Sequence, residues 1–372
     1  MCPQKCRALP GWAGVGTRPY VGGGGVRRMD DDENLGRERR LLALRREAEL
    51  RGDVKGSGVR PRGAPFPVAS PETGYYGIPL LKQPSWRWEV PLYFFVGGAA
   101  GAAAVVGAIA DYTGADKRLV RDARWIAAAG AVISPALLIS DLGRPERFLN
   151  MMRVFKPKSP MSVGVWTLLG FSGGAAAAAF AGFMRERNGP SFPLRVLENA
   201  GQAASLVFGL PFSNYTGVLI GATAIPVWNE NASNLPLHFG ASGVSAAVGL
   251  LELMGHQKSR ALQAIGLGAA MIECWEGWRI ESRHQPGLNP LKHGSSGALV
   301  RVGGALSGPV PAALRVLSMV ASEASREGRE RSRRLRRWAS ISAVTGSLLT
   351  RIAWVHAGHV SAKDWREPLG IR

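Results

Sequence analysis

Cysteine is scarce in this sequence. The 372-residue chain has three: Cys2 and Cys6 near its start, and Cys274 alone far downstream. There is no C-x-x-C pair, no four-cysteine cluster motif and no C-x-x-C-H stretch, so neither a cysteine-held iron–sulfur cluster nor an attached c-type haem is expected here. The first residues, "MCPQKCRALPGWAGVG", lack the apolar run of a secretory leader, and no cleaved signal is expected. Charge is also missing in long tracts. Residues 91–110, 161–184 and 199–229 contain no Asp, Glu, Lys or Arg over 20, 24 and 31 positions. Core helices of a soluble protein rarely need uncharged runs beyond about 18 residues, whereas a bilayer core of roughly 30 Å needs about 20.

The mean hydropathy of +0.01 therefore averages two unlike parts. Residues 1–85 are polar, basic and rich in Gly and Pro, and are expected to be a disordered tail with one short charged helix near 33–51. Residues 86–362 show eight hydropathy runs: 89–110, 123–141, 161–184, 199–228, 235–256, 260–281, 299–320 and 338–361. The expectation is an all-α polytopic membrane protein, with about eight transmembrane helices in two packed groups of four. A C-terminal tail follows over 363–372. Pro211 and Pro226 predict a kink or an early end in the fourth run. Tracts such as "GGAAGAAAVVGAIA" supply the small faces on which membrane helices pack.

The net charge of +19 stands without a nucleic-acid motif, and no nucleic-acid partner is expected. In a membrane chain such charge belongs to loops facing headgroups and cytoplasm. It divides almost evenly between the two sets of loops. The densest block, "REGRERSRRLRR", leans the even-numbered side toward the cytoplasm.

One loop is unusual: "DLGRPERFLNMMRVFKPK", residues 141–158. Asp141 ends the second run, and Gly143 and Pro145 stop the helix. Phe148, Met151, Met152 and Phe155 then recur at helical spacing among Arg147 and Arg153, which predicts a short interfacial helix. Asp141 is a candidate to pair with Arg144. Helices five to eight hold ionisable residues inside apolar runs: Glu252, Glu273, Glu276, Arg315 and Arg351. A mid-bilayer charge costs at least ~2.5 kcal/mol, so each must face a partner or water. Glu273 and Glu276 share one helical face; their pairing with Arg315 or Arg351 and a proton path are both open readings. His238, His256, His356 and His359 raise a b-type haem as a rival. That site would need mid-helix histidines on two helices, and His356, His359 and His238 sit near run ends.

The stretches "PSWRWEVPLYFFVGGAAG", "LLISDLGRPERFLNMMRVFKPKSPMSVGVW" and "NYTGVLIGATAIPVW" stand in an order that resembles the NrfD family, the membrane subunits of polysulfide-reductase-like complexes. The likeness covers roughly 84–228; the later helices agree only in hydropathy. It implies a quinone or quinol bound near one membrane face. It also implies a ferredoxin-like iron–sulfur partner docked on that face, with or without a further catalytic subunit, and no resident haem or cluster. Tyr215 matches the family's motif tyrosine and is the expected quinone hydrogen-bonding residue. Asn214, Glu89 and Tyr93 are further candidates, with Trp86 and Trp88 beside them as aromatic-belt residues. Arg144, Arg147 and Arg153 would then dock the partner, and the buried Glu and Arg residues would line a proton path of the kind proposed for the family. The resemblance implies a multi-pass protein of the cell membrane. Two other classes remain: a transporter, whose mark would be interrupted helices in both halves, and a passive anchor without a quinone site.

Overall fold

The structure is a computed structural model that describes residues 42–43, 81, 84–142, 146–283, 285–321 and 325–363. The chain divides into a unit Met1–Arg60 and a unit Pro61–Arg372. In the first, residues 42–43 alone are described, as exposed helix. Most of the expected N-terminal tail, nearly all of the 33–51 helix and the C-terminal tail beyond 363 lie outside the described residues.

The second unit is all helix among its described residues. Its elements are α1 (Glu89–Tyr112), α2 (Lys117–Asp141), the short α3 (Glu146–Met151), α4 (Pro160–Asn188), α5 (Phe192–Gly221), the single turn α6 (Pro226–Asn229) and α7 (Leu235–Leu251). Then follow α8 (Arg260–Ser282), the turn α9 (Asn289–Lys292), α10 (Gly294–Ser307), α11 (Pro309–Val320) and α12 (Arg326–Ser361). Local chemistry sets several boundaries. Asp116 caps α2 by accepting from the Arg118 N–H, Ser259 caps α8 through Leu262, and Ser325 caps α12 through Gly328. α4 starts with Pro160 at its first position and stops at Gly189, whose φ of 86° precedes Pro190.

α1, α2, α4 and α5 close into one four-helix ring, and α7, α8, α10–α11 and α12 into a second. α7 joins the two by packing on α1 and α5 as well as on α8 and α12. The crossings are backbone-close. A Cβ on Gly101 of α1 would lie 2.7 Å from the Gly209 carbonyl of α5, and one on Gly243 of α7 would lie 2.8 Å from the Gly98 carbonyl of α1. Helices that approach this closely gain dispersion contact along their whole crossing, which replaces the hydrophobic drive that lipid removes. The outer surface is apolar: Val132, Phe180, Val207, Met271, Trp278 and Val320 are exposed.

Among the described residues, five helices can cross a bilayer by length and composition: Glu89–Tyr112, Lys117–Asp141, Pro160–Asn188, Phe192–Gly221 and Leu235–His256. The protein is a multi-pass membrane protein. The remaining three expected spans fall short of that measure for visible reasons. α8 carries Glu273, Glu276 and Arg279, the part of α12 beyond the arginine block holds Arg351, His356, His359 and several Ser and Thr, and the seventh run breaks at Gly308 ahead of Pro309 and Pro311.

The fourth run ends early, as expected: α5 continues through Pro211 but stops at Gly221, and Pro226 opens the separate turn α6. The seventh run is broken as well, between α10 and α11. Other expectations need correction. Trp86 is not a belt residue: its ring stacks on the buried Trp228 at 5.1 Å and meets Phe94 edge-on at 5.8 Å. Trp228 in turn donates Nε1–H to the Trp354 carbonyl at 2.9 Å, pinning the α5–α7 connection to α12. The interfacial helix α3 ends at Met151, and Phe155 beyond it packs edge-on against Trp166 of α4 at 6.1 Å.

Candidate functional site

At one membrane face α1 and α4 begin and α2 and α5 end. Glu89 and Tyr93 stand one turn apart on α1 and so share a side of the helix. Glu89 Oε2 is buried without a hydrogen-bond partner among the described residues. Tyr93 is buried, and its hydroxyl likewise makes no hydrogen bond among them. Asp141, at the end of α2, faces the pair. It lies within electrostatic reach of Glu89 and close to the backbone of Arg87. The expected pairing of Asp141 with Arg144 falls on a residue outside the described ones.

Tyr215 approaches from α5. Its ring covers Gly164 of α4, its hydroxyl donates to the Pro160 carbonyl, and it lies within electrostatic reach of Tyr93. Phe212, on the same helix, completes an aromatic wall: it stacks on Phe171 at 4.8 Å and lies 6.3 Å from Tyr93.

One turn beyond Phe212, the Thr216 hydroxyl is buried without a hydrogen-bond partner among the described residues. So is the hydroxyl of Ser134 on α2, which lies beside Gly97 and Phe212. Asn214 is turned elsewhere. It donates to the Leu210 carbonyl at 3.0 Å and presses on Gly240 of α7. The structure thus brings Glu89, Tyr93 and Tyr215 together and leaves Asn214 in the α5–α7 seam. Asp141, Ser134 and Thr216 are polar neighbours that the sequence did not single out for this role.

Residues 80–263 match the family described as "Polysulphide reductase, NrfD". Over that span the chain belongs to the NrfD family. No curated protein matches the chain. The NrfD segment takes in the whole first helix ring, α7 and the first residues of α8. Most of the second ring lies beyond it.

That second ring is built around ionisable side chains. Glu252, at the end of α7, holds Arg315 of α11 through two bonds of 2.7 and 2.8 Å, and Ser340 of α12 donates to Glu252 at 2.5 Å. Gln263 of α8 donates to the Arg315 carbonyl and to Ser318, so α8, α11 and α12 meet the end of α7 in one network. Arg351 of α12 lies farther along. Its guanidinium bonds to Ser242, Ser347 and the carbonyls of Phe94 and Phe239, with no carboxylate in contact among the described residues. Glu273 accepts from Ser307 at 3.0 Å and stands 3.5 Å from Nδ1 of His238. Glu276 pairs with Arg279 one turn on, at 2.7 Å, and Arg279 reaches Asn231.

Among the described residues neither Glu273 nor Glu276 therefore bonds to Arg315 or Arg351, and Arg315 takes Glu252 instead. Glu276 has a local partner, and Arg351 is solvated by hydroxyls and carbonyls. His238 sits near a run end in the sequence, yet it is buried with both ring nitrogens unbonded among the described residues. Its signal is positional: 238, 242, 245, 249 and 252 share one face of α7.

Of the expected docking arginines, Arg144 and the side chain of Arg147 lie outside the described residues, while Arg153 is exposed. His256 contacts Asp122 at 2.7 Å, and His359 contacts the Trp86 carbonyl at 3.1 Å. Among the described residues no three His, Cys, Asp or Glu side chains cluster as a metal site.

Proposed function

We propose that this chain is the quinone- or quinol-interacting membrane subunit of an oxidoreductase complex, and that it exchanges electrons with a separate iron–sulfur subunit. One observation carries the reading. A single turn of α1 presents a carboxylate oxygen and a phenol hydroxyl, neither hydrogen-bonded among the described residues, beside Tyr215. A buried polar atom left unpaired, as Glu89 Oε2 is, costs about 1–3 kcal/mol, so the site calls for a ligand with matching groups. A quinol offers two hydroxyls and a flat ring, which suits the wall of Phe171, Phe212 and Tyr93.

The bound quinol supplies the redox chemistry, giving up two electrons and two protons as it becomes quinone. The chain's residues do the rest. Tyr93 donates to one ring oxygen and Glu89 accepts a proton, with Asp141 beside it toward the membrane surface. Tyr215, tied to Pro160, orients the ring. The electrons leave to the iron–sulfur subunit, docked on this face through Arg144, Arg147 and Arg153, as the family resemblance implies.

Proton movement through the second ring is part of the same reading. His238, Glu273 Oε1, Glu276 Oε1 and Arg279 Nη1 are buried polar groups without hydrogen bonds among the described residues. They belong to one stretch of α7 and α8, where a chain of buried water would satisfy them.

Titration of the purified protein with a short-chain quinone, read by tryptophan fluorescence, tests the site. Tyr93→Phe is expected to weaken binding several-fold, from a hydrogen bond of about 1 kcal/mol. Glu89→Gln is expected to bind but to turn over slowly. Binding in both variants equal to the parent, with parental turnover, would remove the proposal's support.

A further inference from the structure

The opposite end of the first ring holds a cleft of about 300 Å³ where α1 ends, α2 starts and α4 ends. Its floor is a closed ionic network. Glu198 of α5 receives Arg124 on one oxygen and Arg185 on the other, and Arg124 also reaches Asp111 at 3.0 Å. Gln202 donates to Asp111 at 2.7 Å. Both floor carboxylates are thus engaged by protein groups. Three donors are not used up. Lys117 has no partner among the described residues, Arg121 touches only Asp122 there, at 3.6 Å, and Arg185 Nε is buried without a hydrogen bond. Lys117 and Arg121 are one turn apart and face the same way. Glu186 stands exposed at the rim.

The outer wall is aromatic. Trp125 and Phe183 meet edge-on at 6.4 Å and are 48% and 42% exposed, so the cleft opens beside a surface suited to acyl chains. The arginine block at 326–337, at the start of α12, lies at this same membrane face, because α2, α5, α8 and α12 all begin there. Anionic lipid gathers where basic residues meet a membrane surface.

We propose that this cleft binds an anionic glycerophospholipid. The phosphate lies against Lys117, Arg121 and Arg185 Nε, headgroup hydroxyls donate to Glu186, and an acyl chain follows Trp125 and Phe183. A soluble phosphate would satisfy the cations but has no use for the aromatic wall.

The test is thermal unfolding of the full chain in detergent, with added phosphatidylglycerol, phosphatidylcholine or inorganic phosphate. Phosphatidylglycerol is expected to raise the midpoint saturably, and the other two are not. The double variant Lys117→Gln and Arg121→Gln is expected to need about thirty-fold more phosphatidylglycerol for half of the effect. Arg333→Gln with Arg334→Gln, on the exposed arginine block, is expected to respond like the parent. An equal response to phosphatidylcholine, or a cleft variant with parental half-saturation, would overturn the proposal. So would an arginine-block variant that loses the response equally. Inorganic phosphate reproducing the full shift would overturn the lipid assignment in favour of a soluble anion.

Discussion

Gly164→Ala probes the position of Tyr215 more sharply than any change at Tyr215 itself. A Cβ at residue 164 would lie 2.0 Å from Tyr215 Cζ and 2.2 Å from its Cε1 and hydroxyl oxygen. Relaxed heavy-atom contacts need about 3.5–4.0 Å, so the ring or α4 must move by about 1.5 Å. The ring is held by its hydroxyl on Pro160, and the methyl is held by the α4 backbone. Overpacking of this kind costs about 1–3 kcal/mol. The variant is expected to unfold at lower temperature in detergent and to bind a short-chain quinone more weakly, because Tyr215 leaves its place beside Tyr93. Adding Tyr215→Leu should relieve the clash, giving a coupling of about 0.5–3 kcal/mol. Adding Tyr215→Phe should not, because the crowded ring carbon remains. Parental stability and parental quinone affinity in Gly164→Ala would refute this packing.

Tyr215→Phe alone removes the bond to Pro160 and keeps the ring; turnover of a short-chain quinol is expected to fall several-fold, with unchanged membrane insertion. Glu252→Gln strips the buried Arg315 of its counter-charge and is expected to cost about 3–5 kcal/mol, seen as a large loss of folded protein by size-exclusion chromatography. Replacing the pair together, Glu252→Leu with Arg315→Met, is expected to restore most of that loss; no recovery would show that the network does more than compensate charge. Arg144→Lys with Arg147→Lys keeps the charge but loses planar, multidentate contacts, so recovery of the iron–sulfur partner in a pull-down is expected to drop at equal membrane content.

The helices were legible where charge is absent over a bilayer's length. Their ends were less so. α2 starts at Lys117, six residues before its apolar run, because Asp116 caps a first turn that hydropathy scores as loop. α12 starts at Arg326, twelve residues before its run, for the same reason. The break at Gly308 was written in the sequence as Gly-Pro-Val-Pro, but an uncharged stretch hid it. Partnerships were the least legible. Glu252 and Arg315 are 63 positions apart, and periodicity on one helix says nothing about which face of another it meets. Glu276 and Arg279, three residues apart on α8, form a local pair that the sequence reading passed over in favour of distant arginines. At the candidate site, Tyr215 stood out by motif likeness, and Glu89 and Tyr93 by their place at the start of the first apolar run. The turn of Asn214 toward Gly240 was not legible, because it depends on how α5 and α7 cross.

Photolabelling tests the central claim most directly. The complete protein in membranes is illuminated with an azidoquinone, with and without excess unlabelled quinone, and the modified peptides are identified by mass spectrometry. The account predicts labels that the competitor removes, confined to the first turns of α1 near Glu89 and Tyr93, the start of α4 near Gly164, and α5 around Phe212–Tyr215. Competable labelling in the second helix ring, or around Arg124 and Arg185 at the far face, would contradict it.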